Sequence, residues 1–87
     1  MSIKLQQLKH FVFVVEEGGF RAASHRANRS QAALSTSIKE LERILGQTLF
    51  EPGNKSTLTP FGEICLPKII QFLNVYHALD NDLIHHG

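Results

Sequence analysis

FRAASHRANRSQAALSTSIK, Phe20–Lys39, decides the fold: it reads as two short helices joined by a tight polar turn, a candidate helix-turn-helix that points to DNA. In the first helix Ala22, Ala23 and Ala27 put small side chains on one helical side, where a second helix can approach closely. The turn is Asn28-Arg29. Ser30 then occupies the N-cap position, its hydroxyl free to accept from an amide of the next turn, and Gln31-Ala32-Ala33 opens the second helix. Behind them Leu34, Ile38, Leu41 and Leu45 recur at spacings of four, three and four, a stripe that faces a core, while Gln31, Ser35 and Lys39 face away. One helix thus packs with one side and offers polar side chains with the other.

Upstream, a helix is predicted over Ile3 to Glu17, with Leu5, Leu8, Phe11, Val12 and Val15 as its apolar face and Gly18-Gly19 as its end. The run from Phe11 to Val15 is ambiguous by period with a buried strand; the polar LQQLKH lead-in and the helical spacing favour the helix. Downstream, Gly46 stops the second helix of the motif and Leu49-Phe50 returns an apolar pair to the core. Pro52-Gly53-Asn54 is a turn signal between Thr48–Glu51 and Thr57–Thr59, which predicts a small two-stranded wing with Lys55 at its tip. Thr59-Pro60 is a capping threonine followed by proline at the first helical position, the start of a last helix that runs to the chain end. Along it Cys65, Ile69, Phe72, Tyr76, Leu79 and Leu83 form a heptad seam, flanked by Leu66, Ile70 and Leu73, that calls for a partner helix. Pro67 removes one backbone bond and should bend this helix near its start, at about 3 kcal/mol if uncompensated.

Eighty-seven residues make one small core, marginal unless shared with a second chain, so dimerisation is expected. A single cysteine excludes an intramolecular disulfide, no secretory signal opens the chain, and the apolar runs are too short to span a bilayer; a cytoplasmic protein without membrane partners is expected. The net charge is only +1, but it is unevenly spread. Residues 1–59 hold Lys4, Lys9, Arg21, Arg26, Arg29, Lys39, Arg43 and Lys55 against Glu16, Glu17, Glu40, Glu42 and Glu51, a balance of +3. Residues 60–87 set Lys68 against Glu63, Asp80 and Asp82, a balance of −2. Positive charge therefore lies with the reading head, where backbone phosphates would meet it. These halves define the expected organisation: a winged helix-turn-helix over 1–59, with the motif at 20–39 and the wing at 48–59, and a linker or dimerisation helix over 60–87.

The ordered series LQQLKHFVFVVEEGGF, an alanine-rich helix, NRSQAALS, IKELERILGQTLFE, LTPFGE and LPKIIQFL resembles the N-terminal DNA-binding region of LysR-type transcriptional regulators. The resemblance covers the whole chain. It rests on Leu41-Glu42, Leu45-Gly46, Leu49-Phe50 and the LTPxG of Leu58 to Gly62 in the family's order and spacing. It implies an all-α winged helix-turn-helix, a three-helix core with a small β wing, followed by a long linker helix that pairs with its counterpart in a second chain, so that two heads read an inverted repeat. By position Ser30, Gln31, Ala32, Ala33, Ser35 and Thr36 become the expected contacts in the major groove or on phosphates. Gln31 is the best base reader, its amide able to pair bidentately with adenine for about 1–3 kcal/mol of discrimination, while Ala32 or Ala33 can touch a thymine methyl. Arg29, Ser30 and Lys39 suit phosphates, and Asn54, Lys55 and Ser56 suit the backbone or minor groove. The chain departs from the family pattern at Ala32, where proline is frequent, and at Thr36 and Pro52, where arginine is usual. Fewer cationic contacts predict weaker non-specific affinity and a shallower salt dependence, with specificity resting more on Gln31 and on DNA shape.

The resemblance further implies a bacterial regulator whose chain continues into a larger domain that senses a small-molecule effector, with tetramers formed through it; the 87 residues are then a DNA-binding fragment with no cofactor of their own. The other reading is a winged-helix interaction module in which the heptad helix recruits partners and DNA is bound weakly or not at all. An enzyme is not expected, since the sequence carries no nucleophile–base pairing, no phosphate-cradling glycine loop and no metal-ligand cluster. Cys65 reads as a small buried hydrophobe, His85-His86 as chain end, and His10, His25 and His77 lack zinc spacing.

Overall fold

A computed structural model describes residues 2–85, with the side chains of Lys55 and His85 outside that description. The element order is α1 (Leu5–Glu17), α2 (Phe20–Ala27), α3 (Gln31–Leu45), β1 (Phe50–Glu51), β2 (Asn54–Leu58) and α4 (Pro60–His85). The all-α winged helix-turn-helix with a long terminal helix is thus the observed fold. Local chemistry sets most of the boundaries. Lys4 is the N-cap of α1, where the Gln7 side chain reaches back to the Lys4 amide at 2.9 Å, so the helix opens two residues later than expected. Gly18 and Gly46 close α1 and α3 in the left-handed conformation, at φ 78° and 77°, which costs a glycine nothing. Asn28 ends α2 the same way at φ 55°, a conformation asparagine tolerates better than most residues.

The core is walled by three helices and the wing. Phe11, Val14, Ala23, Leu34, Leu41 and Leu49 have no exposed surface, and Ile38 and Phe50 join them. Leu45 is half-buried at the end of the α3 stripe. Ala23 makes the close helix approach, whereas Ala22 faces solvent; Ser24 is buried beside it and returns its hydroxyl to the Arg21 carbonyl at 2.6 Å. The α1–α3 contact carries a polar tie that the sequence pattern does not reveal. His10, 8% exposed, meets the Ser37 hydroxyl through Nδ1 at 2.7 Å. Burial, reinforced by the charge of Arg29, holds the His10 pKa below the ordinary imidazole value.

The first wing strand, Phe50–Glu51, is shorter than the expected segment, and the second starts three residues earlier than expected, at Asn54. The Glu42 carboxylate accepts from the amides of Leu49 at 2.6 Å and Phe50 at 3.3 Å. Those donors are thereby satisfied on the helix side, and antiparallel pairing starts only at Phe50↔Leu58 before slipping to Glu51↔Asn54. Thr59, expected at the end of the second strand, instead joins wing to helix. Its amide donates to the Leu49 carbonyl at 3.0 Å, its hydroxyl donates to the Thr48 carbonyl at 2.7 Å and accepts from the Gly62 amide at 2.9 Å.

Helix α4 continues through Pro67 as one 26-residue element, although that proline cannot donate to the Glu63 carbonyl. It packs against α1 and β2, and this divides the expected heptad seam. Ile69 and Leu73 are buried in the chain's own core, with Cys65 half-buried beside them, because the first half of α4 closes a further side of that core. Ile69, expected on the pairing seam, thus faces the chain's own head instead, and Cys65 is partly covered by it. Phe72, Leu79 and Leu83 are exposed by 50–71%, and Ile64, Val75 and Ile84, outside the expected seam, are exposed as well. Tyr76 is half-buried, with the Lys9 ammonium 5.6 Å from its ring centre. Burial pushes the Cys65 thiol up, with Lys68 acting in the opposite direction, so the side chain behaves as a small protonated hydrophobe. Among the described residues no helix is long and apolar enough to cross a membrane.

Candidate nucleic-acid interface

The start of α3 is held in place before it meets anything. Ser30 accepts from the Ala33 amide at 3.0 Å, the expected N-cap bond, while Leu34, Ile38 and Leu41 anchor the opposite face in the core. Gln31, Ala32, Ala33, Thr36 and Lys39 are consequently exposed and Ser35 is half-buried. Across from them the wing turn organises itself: the Asn54 side-chain oxygen accepts from the Ser56 amide at 3.3 Å and its hydroxyl at 2.9 Å. That leaves the Asn54 amide nitrogen outward as a donor.

A cleft of about 470 Å³ lies between α3 and the wing, lined by Gln31, Ala32, Ser35, Asn54 and Ser56, and by Gly18 to Arg21 from the other side. Five of the expected contacts are thus brought to one open feature. The others sit around it. Lys39 lies on a second groove with Glu42 and Glu51, and Arg29 and Ser30 flank the helix start. The Lys55 side chain lies outside the described residues. Gln31 thus presents a two-donor, acceptor-bearing amide on a fixed helix, next to the methyl of Ala32, with no carboxylate among the described residues of the cleft lining to repel a polyanion.

The cations are sorted by position. Arg26 binds Glu16 at 2.8 Å and Glu17 at 3.1 Å and lies over the Phe13 ring at 4.2 Å, clasping α2 to α1. Arg43 is paired with Glu40, donating from Nε at 3.1 Å. Among the described residues Arg21, Arg29 and Lys39, all near the start or outer face of the motif, make no ion pair. Net charge is a poor guide for this reason: Glu16, Glu17 and Glu40, three of the glutamates that lower it, are taken up by Arg26 and Arg43. Sequence reasoning missed the His10–Ser37 tie, the Glu42 carboxylate and Arg21 in the cleft. A signal existed only for Glu42, as part of the Leu41-Glu42 pair.

A three-helix head, a recognition helix with its polar side outward, a β wing and a projecting helix together define a winged helix-turn-helix domain. The family model for the bacterial regulatory helix-turn-helix protein, lysR family, matches residues 5–63, and the chain belongs to that family. It is 40% identical over 72 residues to the HTH-type transcriptional regulator TfdT of Cupriavidus pinatubonensis, covering 82% of this chain and 32% of that protein. To the SDS degradation transcriptional activation protein of a Pseudomonas species it is 41% identical over 76 residues, covering 86% and 25%. Both are named as regulators of transcription rather than as enzymes. The chain spans about a quarter to a third of the length of the curated relatives it matches. Among solved structures, the BenM DNA-binding domain in its benA site 1 DNA complex is similar with a TM-score of 0.87 at 30% identity, over 97% of this chain and 99% of that one. Full-length OxyR from Pseudomonas aeruginosa is similar with a TM-score of 0.88 at 30% identity, over 100% of this chain and 27% of that one.

Proposed function

We propose that this chain binds double-stranded DNA sequence-specifically and serves as the DNA-binding part of a transcriptional regulator, with α3 in the major groove and the wing alongside. The observation that carries this reading is the cleft in which Gln31, Ala32 and Ser35 of a core-anchored helix stand opposite Asn54 and Ser56 of the wing. In that geometry Gln31 reads adenine through paired hydrogen bonds, Ala32 or Ala33 meets a thymine methyl, and Ser30, Thr36, Asn54 and the unpaired Arg29 and Lys39 hold phosphates. The likeness to a domain solved in a DNA complex supports it.

The chain acts as a homodimer reading an inverted repeat. The exposed apolar side of α4, formed by Phe72, Val75, Leu79 and Leu83 together with Ile64, supports pairing with the same helix of a second copy. Cys65 and Ile69 contribute indirectly, by fixing α4 to its own head. A small-molecule effector and tetramer formation belong, in this reading, to a larger protein of which these residues are the head. Selection of this protein against random duplexes at two salt concentrations tests the proposal. Recovery of a shared inverted repeat supports it, whereas folded protein that enriches no sequence at either salt would favour an interaction module.

A further inference from the structure

Arg21 stands outside the residues that motif and resemblance assign to DNA, yet it lines the same cleft as Gln31, Ser35 and Asn54. Its neighbours on the chain are immobilised. The Phe20 ring meets Phe50 of the wing edge-on at 5.9 Å, Ala23 is fully buried, and the Arg21 carbonyl accepts from the Ser24 hydroxyl. The side chain itself is exposed and, among the described residues, makes no ion pair, in contrast to Arg26 and Arg43. Among the described residues no carboxylate lines the cleft, although Glu17 lines the pocket next to it, and Gly18 and Gly19 add no side chain to its rim: a Cβ at either position would meet nothing within 4 Å. A guanidinium carried on a held stretch of backbone, beside an open rim and with the Glu17 carboxylate nearby already bound to Arg26, matches the geometry of a phosphodiester, which accepts a planar two-donor fork.

We propose that Arg21 is a DNA-phosphate anchor at the mouth of the cleft, fixing the register in which Gln31 meets base edges. This rests on the reading of the chain as a DNA binder. Phosphate is favoured over a base because Arg21 belongs to α2, the first helix of the motif, which crosses the backbone when the second enters the groove.

The test measures binding of wild type, Arg21→Ala and Arg21→Lys to a duplex recovered from the selection and to a scrambled duplex of equal length and composition, between 50 and 200 mM salt. Arg21→Ala should weaken both duplexes by the same factor and lower the salt slope by about 0.9. The wild-type advantage then shrinks about 3.5-fold across that range, and Arg21→Lys restores the slope. Unchanged affinity and slope overturn the anchor and make Arg21 solvated surface. A loss confined to the selected duplex also overturns it, making Arg21 a base reader. Folded wild type that retains neither duplex overturns the underlying DNA-binding reading instead.

Discussion

Replacing Gly62 with alanine should destabilise the fold through one close approach. A Cβ at Gly62 would stand 2.2 Å from the Leu49 carbonyl oxygen and 3.1 Å from both its carbon and the Leu58 Cδ2. Carbon and oxygen need about 1 Å more than that first distance, and the carbonyl is not free to give way, because it accepts from the Thr59 amide at 3.0 Å. Relief means moving α4 off the Leu49 segment. That strains the Thr59 amide bond, worth about 1 kcal/mol, and the Thr59 hydroxyl cap on Gly62, worth about 1 kcal/mol. Overpacking costs about 1–3 kcal/mol more. Against these stands the helix propensity gained in Gly→Ala, about 1 kcal/mol. The net loss is about 2–4 kcal/mol, a fall in Tm on the order of 10–30 °C for a domain of this size. Thermal and urea unfolding followed by far-UV circular dichroism, at one fixed protein concentration, measures it. A Gly62→Ala protein as stable as wild type, or more stable by the propensity increment, would refute the reasoning.

Glu42→Ala leaves the Leu49 and Phe50 amides without their carboxylate and should cost about 1–3 kcal/mol in urea unfolding, with Glu42→Gln losing less because its amide oxygen still accepts. His10 has a native pKa below its unfolded value, so unfolding takes up a proton as pH drops below about 6.5; stability present above that pH should decline until the native His10 also protonates. Unfolding free energies from pH 7.5 to 5 should show this decline reduced in His10→Asn, and an identical pH profile in the two proteins contradicts the assignment. Gln31→Ala should narrow discrimination between the selected and a mismatched duplex by about 1–3 kcal/mol while leaving binding to unrelated DNA nearly intact; an equal loss on every duplex shows that Gln31 does not read bases.

Features that depend on a few adjacent residues were legible in the chain. Ser30 caps α3, Gly18 and Gly46 close their helices in the left-handed conformation, and Thr59-Pro60 opens α4, since capping and turn chemistry act within one helical turn. The outward face of α3 followed, because the Leu34–Leu41 stripe fixes which side of the helix is turned to solvent. What escaped was non-local. His10 and Ser37 are 27 residues apart, and neither type in isolation announces a buried pair. The wing strands begin where Glu42 releases the chain, which no turn signal encodes. The apolar pattern of α4 is nearly continuous, so periodicity could not separate Ile69 and Leu73, which face the head, from Phe72 and Val75, which face outward.

Thr59 is the sole residue between β2 and α4, and its amide, carbonyl and hydroxyl make four hydrogen bonds, to Leu49, Glu63, Thr48 and Gly62, all within the head or to the first turn of the helix. The joint between wing and helix is thus one residue long and hydrogen-bonded on both sides. At 1.5 Å per residue α4 is about 39 Å long, so a tilt of about 10° at that joint sweeps its far end through about 7 Å. The angle at Thr59 is therefore the geometric setting from which the spacing of two joined heads would follow.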